Sequence, residues 1–246
     1  MRIALFADIH TNIQALEACL AHARGRGAER FAFLGDMVGY AADAQAVVGI
    51  VSREVAHGAV AIKGNHDEAV EKSQGYFNEA ATAAIDHARR TLAPDDARFL
   101  AGLPLVVRED PVTFVHASAA APERWNYVDG PSAAARCMAA AGTPYTFCGH
   151  VHDQVLYFAV GEGRASAFVP TPGAPIPVRS HRRWLAIAGS VGQPRDRNPR
   201  AAYAMFDARR EEITFFRVDY DAHAAAERIR GSGLPESLAF RVELGI

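Results

Sequence analysis

Gly64-Asn65-His66-Asp67 follows an apolar stretch, residues 58–63 (GAVAIK), that predicts a buried strand. The glycine lets the backbone turn, and three side chains that can bind a metal ion or a phosphate group follow it. In open α/β sheets, ligands bind at the carboxyl ends of the strands. Asn and Asp are also ordinary turn residues, so this tetrapeptide alone is equally compatible with a loop that carries a bystander histidine.

Side chains of the same kinds follow four other apolar stretches. Any one of them has an ordinary structural explanation, as a helix cap or a surface histidine. Five such coincidences, all at strand ends, are far less expected, so the sequence predicts one shared site. The further members are Asp8 and His10 after residues 3–7, Asp36 after 31–34, His116 after 112–115, and His150 and His152 after 143–148.

The order of the predicted elements indicates the fold class. Three β-α units begin the chain, which indicates a mostly parallel sheet covered by helices. Helices at residues 78–92 and 94–100 follow, then a hairpin over residues 105–115 and a helix at 132–141. Five later strands between residues 155 and 218 suggest a second, largely antiparallel sheet, and two helices end the chain. We predict one domain over residues 1–246, an α/β fold with two packed mixed β-sheets flanked by helices.

The overall composition and charge limit the classes of molecule that the protein is expected to bind. Half of the 246 residues are hydrophobic, and 26 basic and 28 acidic side chains leave a net charge of −2. That balance gives no basic footprint for nucleic acid or for a membrane surface. The first apolar run stops at Asp8, too early for a signal peptide, and no later run could span a membrane. We expect a soluble cytoplasmic protein that acts on a small molecule; the oligomeric state is not indicated.

The clustered residues have the chemistry of metal ligands. Carboxylate, imidazole and amide groups suit Mn²⁺, Fe and Zn²⁺. Because side chains at i and i+2 of an extended segment point the same way, Asp8 and His10 are expected to converge, as are His150 and His152. The set is too large for one four-coordinate ion and about right for two, which one aspartate can bridge. Helix N-termini at the same edge would favour phosphate.

The five blocks, in this order, resemble the signature of the calcineurin-like metallophosphoesterase superfamily. The later stretch 189–196 (GSVGQPRD) is similar to a bacterial subgroup that is labelled by its similarity to diadenosine tetraphosphatase and protein phosphatase. The resemblance implies a two-sheet sandwich with a dinuclear metal centre. It implies that Asp36 bridges the two ions, that the first ion is bound by Asp8, His10 and His152, and that the second is bound by Asn65, His116 and His150.

The resemblance also implies a reaction. Two metal ions would hold the phosphate oxygens of a mono- or diester, nucleotide-like esters included, and a hydroxide that bridges the ions would attack phosphorus. His66 would not bind metal but would act as the general acid toward the leaving oxygen. Two alternatives remain open. One is a catalytically silent binding scaffold, which would be expected to lack a ligand, and the other is a nuclease, against which the slightly acidic charge counts.

One block departs from the protein phosphatases. They continue Gly-Asp-x-x-Asp-Arg-Gly, whereas Gly39 and Tyr40 stand here at the aspartate and arginine positions. That departure argues against protein phosphatase activity and against transferring the dinucleotide label. Asp67 and Asp43 are the candidates to orient His66 instead, although a loop or cap role explains each equally well.

Several loop residues are candidates for contact with the substrate. Aromatic rings there could stack on a nucleobase, and an arginine could bind a second phosphate. Covering the edge of the core is the alternative role of the aromatic residues. The candidates are Tyr40, Trp125, Tyr127, Arg195 and Arg197.

Overall fold

The structure is a computed structural model that describes residues 1–72, 77–161 and 163–246. Its strands are β1 (Arg2–Phe6), β2 (Arg30–Phe33), β3 (Val60–Ala61), β4 (Val106–Glu109), β5 (Val112–Val115), β6 (Tyr145–Cys148), β7 (Gln154–Gly161), β8 (Arg164–Phe168), β9 (Pro175–Pro177), β10 (Trp184–Ala188), β11 (Ala201–Asp207) and β12 (Glu212–Val218). Its helices are α1 (Ile13–Gly25), α2 (Ala44–Ala56), α3 (Asn65–Glu71), α4 (Glu79–Thr91), α5 (Pro94–Gly102), α6 (Pro131–Ala141), α7 (Ala222–Gly231) and α8 (Glu236–Leu244), and Pro122–Arg124 forms one 3₁₀ turn.

Within the described ranges the strands form two six-stranded sheets. The first has the order β3-β2-β1-β11-β12-β9 and the second the order β4-β5-β6-β10-β7-β8. In the first sheet β1, β2 and β3 run parallel and the remaining pairs antiparallel. In the second, β5, β6 and β10 run parallel and the remaining pairs antiparallel. Both sheets are mixed, so the predicted fold class is confirmed.

The predicted division of the later strands is wrong in part. Strands β11, β12 and β9 do not join a second antiparallel sheet but extend the first, with Ala4 of β1 opposite Met205 of β11. The reason is that β1 is almost entirely buried and needs a hydrogen-bonding partner on both sides. Strand β9 was missed because two of its three residues are proline, which sheets accept at an edge.

The two sheets pack face to face, and helices cover their outer faces. Along β1 the side chains alternate, so that Leu5 packs between the sheets with Phe114, whereas Phe6 packs outward with Leu16 of α1. Helix α6 covers the second sheet, where Met138 packs in a further cluster. Each fully buried side chain of this size contributes about 1.5–3 kcal/mol to stability.

The helix ends follow local chemistry. The Asn12 side chain accepts a hydrogen bond from the Ala15 amide at 3.1 Å, so it caps α1. Asp43 occupies the N-cap position of α2 but makes no capping bond, because the Arg228 guanidinium binds its carboxylate. The expected turn at residues 64–67 is the start of the short helix α3.

The last two helices form a cluster of their own. Helices α7 and α8 pack against α4 and against Tyr40 in the loop after β2. This contact ties the C-terminal part of the chain to the edge of the sheet where β1 and β2 end. None of the helices in the described ranges is long and apolar enough to cross a membrane.

Candidate metal centre

All seven predicted ligands come together at the carboxyl ends of four neighbouring strands and at the start of α3. Asp8 and His10 follow β1, Asp36 follows β2, His116 follows β5, and His150 and His152 follow β6, while Asn65 begins α3. Every one except Asn65 is at least nine-tenths buried. Buried groups of this polarity require partners.

The ligand atoms form two groups that share one carboxylate. In the first, His152 Nε2 lies 3.3 Å from His10 Nε2 and 3.6 Å from Asp8 Oδ1. In the second, His116 Nε2 lies 3.1 Å from His150 Nδ1 and 3.2 Å from Asn65 Oδ1. Asp36 Oδ2 lies 3.8 Å from His10 Nε2 and 3.4 Å from His116 Nε2, between the two groups.

The protonation of three histidines follows from their backbone contacts. The Nδ1 atoms of His10, His116 and His152 face carbonyl oxygens of Val38, Leu34 and Gln193, at 3.0, 2.7 and 2.6 Å. A carbonyl only accepts, so each Nδ1 carries the proton and each neutral ring presents a lone pair on Nε2. The lone pairs of His10 and His152 then face each other at 3.3 Å. A bound cation is what would satisfy them, so these residues fit a metal ion.

The pKa values favour a neutral imidazole at three of the four histidines and a charged one at His116 in the metal-free protein. Burial lowers the pKa of His10 and His152 well below the usual range and lowers that of His150 to about 3. Burial also opposes charge on His116, but the Asp36 carboxylate outweighs it and raises the pKa of His116 to about 9. Burial, with the Asp36 charge adding to it, raises the pKa of Asp8 to about 7.

The ligands converge through left-handed backbone conformations rather than through extended loops. Five of the seven have positive φ, from 49° to 75°: Asp8, His10, Asp36, His150 and His152. The extended i, i+2 geometry expected from the sequence is therefore wrong. Such conformations cost on the order of 1–3 kcal/mol each and persist where surrounding bonds enforce them. Here the Asp8 and His10 amides donate to Gly35 and Asp36 carbonyls at 3.1 and 3.0 Å.

Comparison with known proteins shows the family of this chain. Residues 1–211 match the family described as the calcineurin-like phosphoesterase superfamily domain. The chain belongs to the calcineurin-like phosphoesterase superfamily. It is 33% identical to an uncharacterized protein of Methanocaldococcus jannaschii, MJ0912, over 99% of this chain and 98% of that one. The family prediction is thus confirmed, and a phosphoesterase with candidate metal-binding Asp and His groups is supported.

Two solved structures show the same fold. A metallophosphoesterase from Sphaerobacter thermophilus has a TM-score of 0.89 and 32% identity, covering 100% of this chain and 99% of that chain. A protein described as a proposed diadenosine tetraphosphatase has a TM-score of 0.52 and 15% identity, covering 89% and 94% of the two chains. At that identity the second likeness shows the fold alone.

Asp67 organises the loop that carries Asp36. Its carboxylate accepts hydrogen bonds from the backbone amides of Gly64, Asp36, Met37 and Val38 at 2.8–3.2 Å. The Asp36 carboxylate in turn accepts from the His66 amide at 2.9 Å. Asp67 thereby links the second and third blocks of this calcineurin-like site, and its oxygens face backbone amides rather than the His66 ring.

The His66 ring is held in place by aromatic neighbours and by its close approach to the backbone at Gly39. Its ring lies 4.7 Å from the Tyr40 ring, 4.9 Å from that of His10 and 4.9 Å from that of Phe77. A Cβ on Gly39 would come within 2.4 Å of His66 Nδ1, and the φ of Gly39 is +95°, so this position requires glycine. This Nδ1 is buried and has no hydrogen-bond partner among the described residues. The two candidate orienting carboxylates, Asp67 and Asp43, bind other groups.

Four of the five predicted substrate contacts border the centre. Tyr127 stacks on His150 at 4.1 Å, and the Trp125 ring lies 5.9 Å from that of His116 while its Nε1 donates to Glu68. Tyr40 lies 4.5 Å from His10, and the Arg195 guanidinium lies over the Tyr40 ring. Arg197 is instead exposed, and its backbone amide donates to the Gly245 carbonyl at 2.7 Å.

The sequence analysis missed three residues that shape the site. The Gln193 carbonyl fixes His152, and the Ser190 hydroxyl donates to the Asp8 carbonyl at 2.8 Å and accepts from the Gln193 amide at 2.8 Å. Both lie in the stretch 189–196, which was interpreted only as a subgroup signature. Arg241 lies near Tyr40 from α8, and no motif marks it.

Proposed function

We propose that this protein is a phosphoesterase that depends on two divalent metal ions (Mn, Fe or Zn) and hydrolyses a small phosphate mono- or diester. The observation that carries the proposal is the convergence of buried ligand atoms around one carboxylate. The Nε2 atoms of His10 and His116 lie 3.8 and 3.4 Å from the same oxygen of Asp36. A cation bound between them would satisfy these buried polar atoms together.

Each ligand has a proposed ion. Asp36 would bridge, since one of its oxygens faces both groups of ligands. Divalent ions held there would neutralise phosphate oxygens and lower the pKa of the attacking water. Asp8, His10 and His152 would bind the first ion, and Asn65, His116 and His150 the second.

His66 would be the general acid. Burial lowers its pKa, which keeps the ring neutral in the free protein. A phosphate dianion beside the ring would raise that pKa and favour the protonated form. The ring would then supply a hydrogen bond or a proton to the leaving oxygen. Its firm packing against Tyr40 and Phe77 supports a fixed orientation without a carboxylate partner.

The test combines metal analysis with a substrate panel. Purified protein is analysed by mass spectrometry for bound metals and is then assayed with Mn²⁺ and with a chelator. The panel holds p-nitrophenyl phosphate, bis-p-nitrophenyl phosphate and a dinucleoside polyphosphate. We expect about two ions per chain and hydrolysis that the chelator abolishes. Protein that retains no metal and hydrolyses none of the three would instead support the silent scaffold.

A further inference from the structure

Two arginines pack on one tyrosine at the edge of the metal centre, and we call Arg195, Arg241 and Tyr40 the rim. The Cζ atoms of Arg195 and Arg241 lie 5.8 and 6.0 Å from the centroid of the Tyr40 ring. Arg195 comes from the loop after β10 and Arg241 from α8, beyond the family-matched residues 1–211. The two segments are fixed together by the Arg197 amide, which donates to the Gly245 carbonyl.

Neither guanidinium has a carboxylate side chain as a partner within the described ranges. Arg195 reaches only neutral groups, the Gln193 side-chain oxygen at 3.3 Å and the Tyr40 hydroxyl at 3.5 Å. Arg241 donates to the main-chain oxygen of Ile246, the last residue of the sequence, at 2.8 Å. Asp196 pairs with Arg217 and Glu243 with Arg230, and the exposed Asp153 lies within electrostatic reach of Arg195.

Two further donor atoms at this rim have no partner. Arg195 Nε and Gln193 Nε2 are both buried, and neither makes a hydrogen bond to any residue that the structure describes. A buried donor without an acceptor is destabilising, so an acceptor that reaches these atoms, such as a phosphate oxygen, would be bound favourably. Burial, and then the Arg195 charge, lowers the pKa of Arg241, as expected when two cations share a site.

This rim adjoins the proposed catalytic groups. The Tyr40 ring that both arginines share lies 4.5 Å from the His10 ring and 4.7 Å from the His66 ring. The two guanidinium groups are thus one aromatic ring away from where a phosphate would be hydrolysed.

We propose that Arg195 and Arg241 form a second phosphate subsite, so that the preferred substrate carries one phosphate group besides the one that is hydrolysed. Guanidinium groups bind phosphate through paired, charge-assisted hydrogen bonds, which Arg195 Nε is free to complete. The proposal rests on the proposed function for the identity of the substrate. It extends that function to a substrate class, esters that bear two linked or neighbouring phosphates.

The first test is independent of metal and of catalysis. Inorganic phosphate is titrated into metal-free protein, and binding is measured by calorimetry. We expect Arg195→Gln and Arg241→Gln to weaken binding on the order of tenfold each. Arg136→Gln, which removes one exposed arginine from α6, should leave binding unchanged. Unchanged binding in both rim variants, or no binding to the wild type, would overturn the subsite.

The second test asks whether the subsite holds a second phosphate or the reacting one. Orthophosphate and methylenediphosphonate compete with p-nitrophenyl phosphate in the Mn²⁺-loaded enzyme. We expect the diphosphonate to inhibit at least about ten times more tightly than orthophosphate, and both rim variants to lose that advantage. If the diphosphonate still inhibits both variants more tightly than orthophosphate does, the proposal is contradicted. It is also contradicted if the variants lose affinity equally for both inhibitors.

The two proposals can fail separately. If the enzyme hydrolyses nothing but phosphate binding still depends on both arginines, the proposed function fails and the anion subsite stands. If it hydrolyses esters and the variants bind phosphate normally, the subsite fails and the proposed function stands. Arg195→Lys and Arg241→Lys, which keep the charge without the fork, should restore part of the lost affinity and exclude misfolding as the cause.

Discussion

The two groups of ligands differ in how they are held. We call Asp8, His10 and His152 the inner half of the centre, and Asn65, His116 and His150 the outer half. Both inner histidines donate Nδ1 to backbone carbonyls and are at most 3% exposed. In the outer half only His116 has such a bond. His150 Nε2 has no partner among the described residues, and its ring is covered by Tyr127, which is 53% exposed.

The difference concerns preorganisation. A ligand fixed by a backbone hydrogen bond loses little freedom when an ion binds, and its basicity is raised by the same bond. A ligand fixed only by an exposed aromatic ring must be ordered by the ion itself. We therefore expect the inner half to bind its ion more tightly and the outer half to exchange its ion more readily.

The largest effect is expected from the residue that joins the halves. Asp36→Asn removes the charge near His10 and His116 and leaves the amide nitrogen or oxygen facing them. Turnover should fall at least about 10³-fold, because several kcal/mol of charge stabilisation are lost. Metal analysis should show fewer than the two ions per chain that are expected of the wild type. A variant that keeps both ions and most activity would show that Asp36 does not bridge.

His66→Ala should separate catalysis from metal binding. We expect turnover to fall about 10²–10⁴-fold, the range for loss of a general acid, while both halves keep their ions. Metal content and rate measured on the same preparation provide the check. Loss of metal in this variant would show that His66 is a ligand. The test is needed because a ring nitrogen of His66 lies within 4.8 Å of ligand atoms of His10 and Asp36.

One substitution made in each half tests their inequality directly. His152→Gln and His150→Gln are the same change two residues apart in one loop. The inner variant should weaken the tighter ion about 10–100-fold or more, whereas the outer variant should affect only the weaker ion. Calorimetric titration with Mn²⁺ resolves the two events. If either variant weakened the binding of both ions equally, the two halves would not be distinct.

The fold and the ligand set were predictable because they leave signals in the chain. Buried strands such as residues 3–7 are apolar runs, and the polar residues that follow them stand out. Asp36 and His116 follow strands of different sheets, and what assigned them to one site was that each follows the carboxyl end of an apolar strand. Both follow from local pattern and the geometry of sheets.

Other features leave no such signal. The left-handed conformation of Asp8 and His10 is imposed by the hydrogen bonds that their own amides donate to carbonyls of the loop after β2. No local sequence propensity encodes these long-range bonds. The contact of Arg241 with Tyr40 joins positions 201 residues apart through the packing of α8. The close approach of His66 Nδ1 to the backbone is marked in the sequence only by the glycine at position 39, whose role depends on the distance to that ring.

Proton competition should distinguish the halves by pH. A cation must displace any proton from its ligands, so affinity rises with pH until the ligand is deprotonated. In the metal-free protein the pKa of Asp8 is about 7 and that of His116 about 9. Affinity of the inner half should therefore level off above about pH 7, while that of the outer half rises up to about tenfold per pH unit until about pH 9. Calorimetry in buffers of different ionisation enthalpy counts the released protons, and two parallel pH profiles would refute the assignment.

The smallest effect is expected where the outer half meets solvent. Tyr127→Leu removes the ring that stacks on His150 at 4.1 Å but keeps an apolar side chain. Such aromatic pairs contribute about 0.5–1.5 kcal/mol, so the weaker ion should bind about two- to tenfold less tightly and the tighter ion equally well. Tyr127→Phe keeps the ring and should resemble the wild type. If the leucine variant instead raised KM for the substrate without changing metal affinity, Tyr127 would be a substrate contact rather than a support for His150, and the outer half would depend on its backbone after all.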